Sequence, residues 1–343
     1  MSLQVRSVRL GPVSFRARPR TWLVATLAWG IALVGAIAVL FSGSVNMTPE
    51  QFWAALAGVG ERADMLLLWE FRMPRAVTGL VVGACLGTAG CLFQALSRNA
   101  LGSPEIIGLT GGAALGAVAS VIVFRSFGWG TAVGAIIGCL GAALLTWVLS
   151  PRGFGGGNRL ILIGLGVASL IQPVTVLLLT RADSDSATSA RLWLTGTLNA
   201  RNWSHAAVGA VLFAVILPFA LLISRHLDAA APGEDLAAGL GVSRRFTQWT
   251  ATGVGVALTA AAVAVAGPIS FIALAGPHVA RRLLKGPTAP AGVAAGTGAA
   301  LLVAADLVGA NLPGGLQLPV GVTAGLLGGA YLLLLLNGQE RKK

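Results

Sequence analysis

The sequence predicts an all-α, polytopic membrane protein of about ten transmembrane helices, and three observations carry that reading. Of the 343 residues, 55% are hydrophobic and only 10% are charged, and the mean hydropathy is +0.81. A soluble domain of this size needs more polar surface and would otherwise expose large apolar patches. Apolar runs of about 20 residues recur along the chain, the length that crosses a hydrocarbon core of about 30 Å. Basic residues stand in small groups at the ends of these runs. The 47 glycines suit helices that approach closely in a membrane.

The first run, 22–41, follows a basic stretch from Arg6 to Arg20. That order resembles a secretory signal, but about 20 apolar residues exceed a signal core and suffice to span, so an uncleaved first helix is expected. Segment 42–71 contains SVNMTPEQFWAALAG, where Thr48-Pro49-Glu50 and the apolar spacing predict an amphipathic helix. Further spans are predicted at 76–97, 104–124, 130–150, 160–180, 204–224, 246–266, 268–284, 293–311 and 319–336. Gly and Pro punctuate 267–292, which makes the eighth and ninth spans the least regular. No long polar segment interrupts the series, so residues 1–343 form one transmembrane domain.

Ten spans place both termini on one side, and the Lys/Arg bias names that side as cytoplasmic. With the termini inside, the inner segments hold 17 of the 24 basic residues. Arg62, Arg72, Arg75, Arg125, Arg181, Arg191 and Arg201 remain outside, and seven acids share that side if Asp306, near the outer end of the ninth span, is counted with the six in the outer segments. A net charge of +12 distributed this way forms no continuous basic stripe with interleaved aromatics, which argues against nucleic acid as a partner.

One inner loop departs from the pattern. GEDLAAGLG, at the centre of a segment of about 230–243, is acidic and lies between the sixth and seventh spans. Pro232 can mark the start of a short helix that follows Gly233, and Glu234 and Asp235 then occupy its first turn, where the helix dipole favours negative charge. Leu236 and Leu240 share one face with Ala237 beside them, Gly241 suits a left-handed stop, and Ser243 can cap the next helix. Two readings stand for this helix: one resting on lipid headgroups, or one docking on a protein. Headgroups favour Lys and Arg over paired acids, which points to the second.

The chemistry of a self-powered enzyme is missing from the sequence. No G-x-x-x-x-G-K-[ST] is present to cradle nucleotide phosphates, and no H-E-x-x-H to hold a metal. His205, His226 and His278 are widely separated, and Cys85, Cys91 and Cys139 read as small packing residues with no metal spacing. Ion-coupled carriers place carboxylates deep in the membrane. Here the spans offer only Glu105, at the inner start of the third, and Asp306, near the outer end of the ninth. Both are expected to be structural partners for an arginine or for backbone groups. What remains is a many-helix permease with no energy source of its own and a docking helix on the inner side. A secondary carrier is the competing class.

LWEFRMPRAVTGLVVGACLGTAGCLFQALSRNALGSPEIIGLTGGAALG (68–116), AGPISFIALAGPHVARRL (266–283) and QLPVGVTAGLLGGAYLLLLL (317–336) occur in that order. Together with GEDLAAGLGV they resemble the FecCD family, the permease subunits of ABC importers for ferric siderophores, haem and cobalamin. The resemblance covers the chain nearly end to end. It implies a type II ABC importer permease architecture, with ten helices per subunit, a second permease subunit, two ABC ATPase subunits below that bind ATP and Mg, and a substrate-binding protein outside. This chain would then have no catalytic residues and no bound cofactor or metal. Residues Gly233, Glu234, Asp235, Leu236, Ala237, Leu240 and Gly241 would couple to the ATPase, and Arg72 would dock the binding protein unless it is an interfacial arginine paired with Glu70. Pro74, Arg75, Gln94, Arg98, Asn99, Pro277, His278, Arg281, Pro319 and Gly321 match structural positions of the family motifs.

The sequence departs from the family pattern at Ala100, Ala310, Asn311 and Gln317. Ala310 stands where a second docking arginine is expected, which fits one member of a heterodimeric pair. The blocks most resemble a ferric-enterobactin-type subunit in a cell inner membrane. A ferric siderophore is the expected cargo, with haem or cobalamin as the alternatives.

Overall fold

The computed structural model describes the chain from Arg6 to Glu340 except residues 11–12, 18, 44–46, 151–156, 232–236, 238, 240 and 314–315. In chain order the helices are α1 (Pro19–Phe41), α2 (Pro49–Leu56), α3 (Arg62–Leu66), α4 (Met73–Ser97), α5 (Leu109–Ile122), α6 (Trp129–Leu149) and α7 (Asn158–Arg181). They continue with α8 (Ser184–Leu194), α9 (Trp203–Ala230), α10 (Arg244–Ala266), α11 (Ile272–Leu284), α12 (Ala291–Ala310) and α13 (Val320–Glu340). Leaving aside α2, α3 and α8, these correspond one for one to the ten predicted spans. The fold is that of a helical, multi-pass membrane protein.

Four features differ from the sequence reading. A hairpin of β1 (Arg6–Leu10) and β2 (Val13–Ala17) precedes α1, with Arg6 opposite Ala17. Its signal was the alternation of Val13, Phe15 and Ala17 with Ser14 and Arg16. α8 is an additional helix, capped by Asp183, whose carboxylate accepts the Ser186 N–H at 3.1 Å. Those bonds from Ser186 hold the Asp183 carboxyl below its usual range. The second span is longer than predicted, because α3 runs through a π-helical stretch, Leu67–Arg72, directly into α4. Finally, α5 and α11 start late. Gly108 at φ +88 and Gly267 at φ +78 stand with Pro104 and Pro268 in irregular stretches, the second within the region whose Gly and Pro mark it as least regular.

α4, α10 and α12 form the centre, while α1, α6, α7 and α9 keep broad exposed faces. Lipid gives no hydrophobic drive between helices, so close backbone approach must supply the contact. The α4–α12 seam does so. A Cβ at Gly83 would stand 2.6 Å from the Gly298 carbonyl oxygen, and one at Gly87 would overlap the Ala294 carbonyl. α5 and α6 repeat the device with Gly112 and Gly116 against Gly138 and Gly134. Cys85, Cys91 and Cys139 are buried within the helix packing.

Inner and outer ends, as the basic residues assign them, are marked by tryptophans. Trp147 and Trp249 lie together at the inner end, and Trp129 stacks on His205 at the outer end. Amphipathic rings favour this depth at both interfaces. The outer helix α2 forms as expected, with a capping box in which Thr48 accepts from the Gln51 N–H and Gln51 Oε1 accepts from the Thr48 N–H.

Candidate functional site

The motif residues gather at two levels. At the inner end, a cavity of about 1000 Å³ is walled by the ends of α4, α9 and α11, the start of α10, and the turn before α12. Gln94, one turn before the end of α4, is buried. Its Nε2 donates to the Leu274 carbonyl at 3.1 Å, and its Oε1 accepts from Arg281 Nη1 at 2.6 Å. One glutamine thus joins α4 to both the first and the last turn of α11. Burial favours this pairing, because an unpaired amide there would be costly.

Arg98 terminates α4 in the left-handed conformation (φ +50), and its Nη2 donates to the Ala230 carbonyl at the end of α9. Asn99 comes next, donating Nδ2–H to Asn158 Oδ1 at 2.8 Å and accepting the Leu101 N–H at 2.8 Å. The Arg-Asn pair therefore ties α4 to the inner ends of α9 and α7. Arg20 completes the inner set by donating to the Leu283 carbonyl at 2.8 Å. Pro277 is buried within α11, and His278 meets Tyr331 of α13 edge to face at 5.9 Å.

The segment between α9 and α10 reaches this same cavity. Ala237 is buried and lines it, with Val242 and Ser243. Gly241 takes φ +76, and the Val242 N–H donates to the Ala237 carbonyl at 3.0 Å, the closure that a left-handed glycine allows at a helix end. Ser243 then caps α10 by accepting the Phe246 N–H. Gly233, Glu234, Asp235, Leu236 and Leu240 lie outside the described residues.

At the outer end the arginines are turned inward. Arg75 makes two bonds to Asp306 of α12, at 2.9 and 2.8 Å, with side-chain exposures of 18% and 4%. That is the arginine partner expected for Asp306. Arg72, expected on the outer face, is instead buried, and its Nη1 donates to the Leu40 carbonyl of α1 at 2.5 Å. The physical reason is the π-helical stretch, where the Met73 N–H reaches back five residues to the Leu68 carbonyl. One extra residue in a turn rotates the downstream side chains by about 100° relative to a regular helix. Pro74 is buried at the first turn of α4. Asn311 donates to the Ser42 hydroxyl and to the Leu307 carbonyl, so the outer ends of α1 and α12 are joined as well. The Gly321 N–H donates to the Gly196 carbonyl at 3.0 Å, and a Cβ there would overlap the Thr195 carbonyl. Pro319 lies immediately before α13, its carbonyl accepting the Thr323 N–H.

Two positions are underestimated by sequence reasoning. Asn158 has no signal of its own, since its role depends on the placement of Asn99. Glu105 accepts the Phe271 N–H at 2.7 Å. A backbone partner is among those expected for it, but the place of that partner at the head of α11 cannot be read from spacing. Among the described residues no group of three or more His, Cys, Asp or Glu could hold a metal ion.

Comparison with known proteins gives a consistent result. Residues 31–337 match the FecCD transport family. The ferric enterobactin transport system permease protein FepG of Escherichia coli K12 is 39% identical, over 94% of this chain and 98% of that one. YfhA of Bacillus subtilis 168, described as a probable siderophore transport system permease, is 33% identical over 93% and 96% of the two chains. Among solved structures, an inward-facing protein described as of metal-chelate ABC transporter type superposes with a TM-score of 0.80 at 25% identity. The match covers 92% of this chain and 99% of that one.

Proposed function

This chain belongs to the FecCD transport family, and we propose that it moves a ferric siderophore, received from an external binding protein, using ATP hydrolysed elsewhere in the complex. It is a multi-pass permease subunit of an ABC importer for chelated iron, a family whose ATPase activity lies in a separate subunit. The observation that carries the energetic part of the proposal is the inner cavity. Its walls are the ends of α4, α9, α10 and α11, and the 230–243 segment closes onto it through Ala237 and Val242. A push on that segment reaches four spans at once. We assign residues 233–241 to contact with the ATPase, whose subunits would hold ATP and Mg, and we place the termini and this segment on the cytoplasmic side of the inner membrane.

The cargo assignment follows the described cargo of the relatives, and the departures at Ala310 and Gln317 favour a heterodimer with a second permease. Binding-protein docking is proposed on the outer loops. For Arg72 to meet an acidic group there, its bond to Leu40 must open. The test is uptake of a ferric siderophore into vesicles containing this chain, a partner permease and ATPase. Uptake is expected to need ATP and to survive a protonophore while ATP is clamped. Transport by this chain alone, abolished by the protonophore, would establish a secondary carrier instead.

A further inference from the structure

The two late-starting spans meet at one point. α5 has 14 residues and α11 has 13, so each covers only about 20 Å of a hydrocarbon core of about 30 Å. The inner end of α11 is located by Arg20, which donates to the Leu283 carbonyl. Phe271, at the other end of α11, therefore stands about 20 Å deeper, within the membrane. Irregular backbone at that depth persists only where protein or a cavity satisfies it.

Three elements converge there. Phe271 has φ +67, a conformation uncommon for a bulky residue, and α11 has no side-chain cap of its own. The Phe271 N–H donates to Glu105 Oε1 in the turn between α4 and α5. Gly328 of α13 lies so close that a Cβ there would overlap the Phe271 side chain. Glu105 and Phe271 are partly exposed and Ser270 is exposed, so the joint lies on a face of the subunit. A carboxylate at this depth is costly unless it has a partner, and a strained residue persists only when its surroundings over-determine it. The amide bond and the glycine seat meet both conditions.

We propose that Glu105 is a positioning residue for transport: its carboxylate pins the head of α11 to the α4–α5 turn and against α13. α11 is continuous through Pro277, and its far end carries Arg281, which holds Gln94 at the inner cavity. Displacement at the cavity is thereby carried to mid-membrane along one short helix. The proposal rests on the importer reading above.

The test uses the complete complex in nanodiscs, with partner permease, ATPase and binding protein. Glu105→Ala should lower uptake about tenfold, the scale of one lost charge-assisted hydrogen bond, and abolish stimulation of hydrolysis by loaded binding protein. ATPase recovery and basal hydrolysis should persist. Glu105→Gln keeps an acceptor and should stay within about twofold of wild type. Hydrogen exchange of the peptide containing Phe271, measured without ATP, should accelerate in the alanine variant and not in the glutamine variant. Unchanged exchange and uptake in Glu105→Ala, or Glu105→Gln as impaired as Glu105→Ala, would overturn the joint. If Glu105→Ala does not assemble, Gly328→Ala must reproduce its loss of stimulation, and normal transport there would also overturn the proposal. A wild-type complex without ATP-dependent uptake refutes the importer reading, while the exchange result still decides the joint.

Discussion

Replacing one partner of the Arg75–Asp306 pair should cost far more than replacing both. The pair joins α4 to α12 at the outer end through bonds of 2.9 and 2.8 Å, and Asp306 is almost fully buried. Breaking a buried pair by removing one member costs about 3–5 kcal/mol, because the other charge is left uncompensated. Arg75 keeps 18% side-chain exposure and Asp306 only 4%, so the two singles should differ. Asp306→Leu leaves an arginine that can still reach water, placing its cost near the lower bound of about 3 kcal/mol. Arg75→Leu strands a carboxylate with no such exit and should cost about 5 kcal/mol. The double variant removes both desolvation penalties and should lose no more than about 1 kcal/mol. The assay is equilibrium unfolding of the lipid-embedded protein for all four members of the cycle. Single costs that add to within about 0.5 kcal/mol would show two independent residues and refute the reasoning.

Gly87→Ala places a Cβ against the Ala294 carbonyl and should destabilise the α4–α12 seam by about 1–3 kcal/mol. Gly141→Ala on α6 meets nothing within 4 Å and should be neutral or stabilising, so equal melting shifts for the two would discredit the seam. Arg72→Glu should slow binding-protein association, most visibly at low salt, and, because Arg72 is buried against the Leu40 carbonyl, should also loosen the contact between α1 and the start of α4. If association and uptake are unchanged, Arg72 serves only to hold α1 through Leu40. Gly241→Val forces a β-branched residue to φ +76 at a strain of about 1–3 kcal/mol, and Leu240→Asp sets a charge into the proposed contact. Both should insert normally yet shed the ATPase or lose its stimulation; wild-type recovery and uptake in both would reduce the segment to an interfacial loop.

The ten spans and the helix at α2 were legible in the sequence because they depend on local quantities. Run length sets whether a helix can cross, and the Thr48–Gln51 pair caps α2 with residues three apart. The close of the 230–243 segment was legible for the same reason: Gly241 and Ser243 act on their own neighbours. Motif order pointed to the family, yet it could not say which way an arginine turns. Arg72 faces α1 because a π-helical turn shifts the phase of the helix, and that turn is stabilised by packing between spans. Composition hid the late start of α5, and the Gly and Pro of 267–292 marked the α11 region as irregular without giving where its helix begins. Gln94 with Arg281, Asn99 with Asn158, Arg75 with Asp306, and Glu105 with the Phe271 amide are separated by 59 to 231 residues. Local propensity has no access to such pairs. Gln94 and Asp306 are buried, and a polar group cut off from water must find its partner in another helix; the exposed Asn99–Asn158 pair needs only that folding brings α7 beside the end of α4.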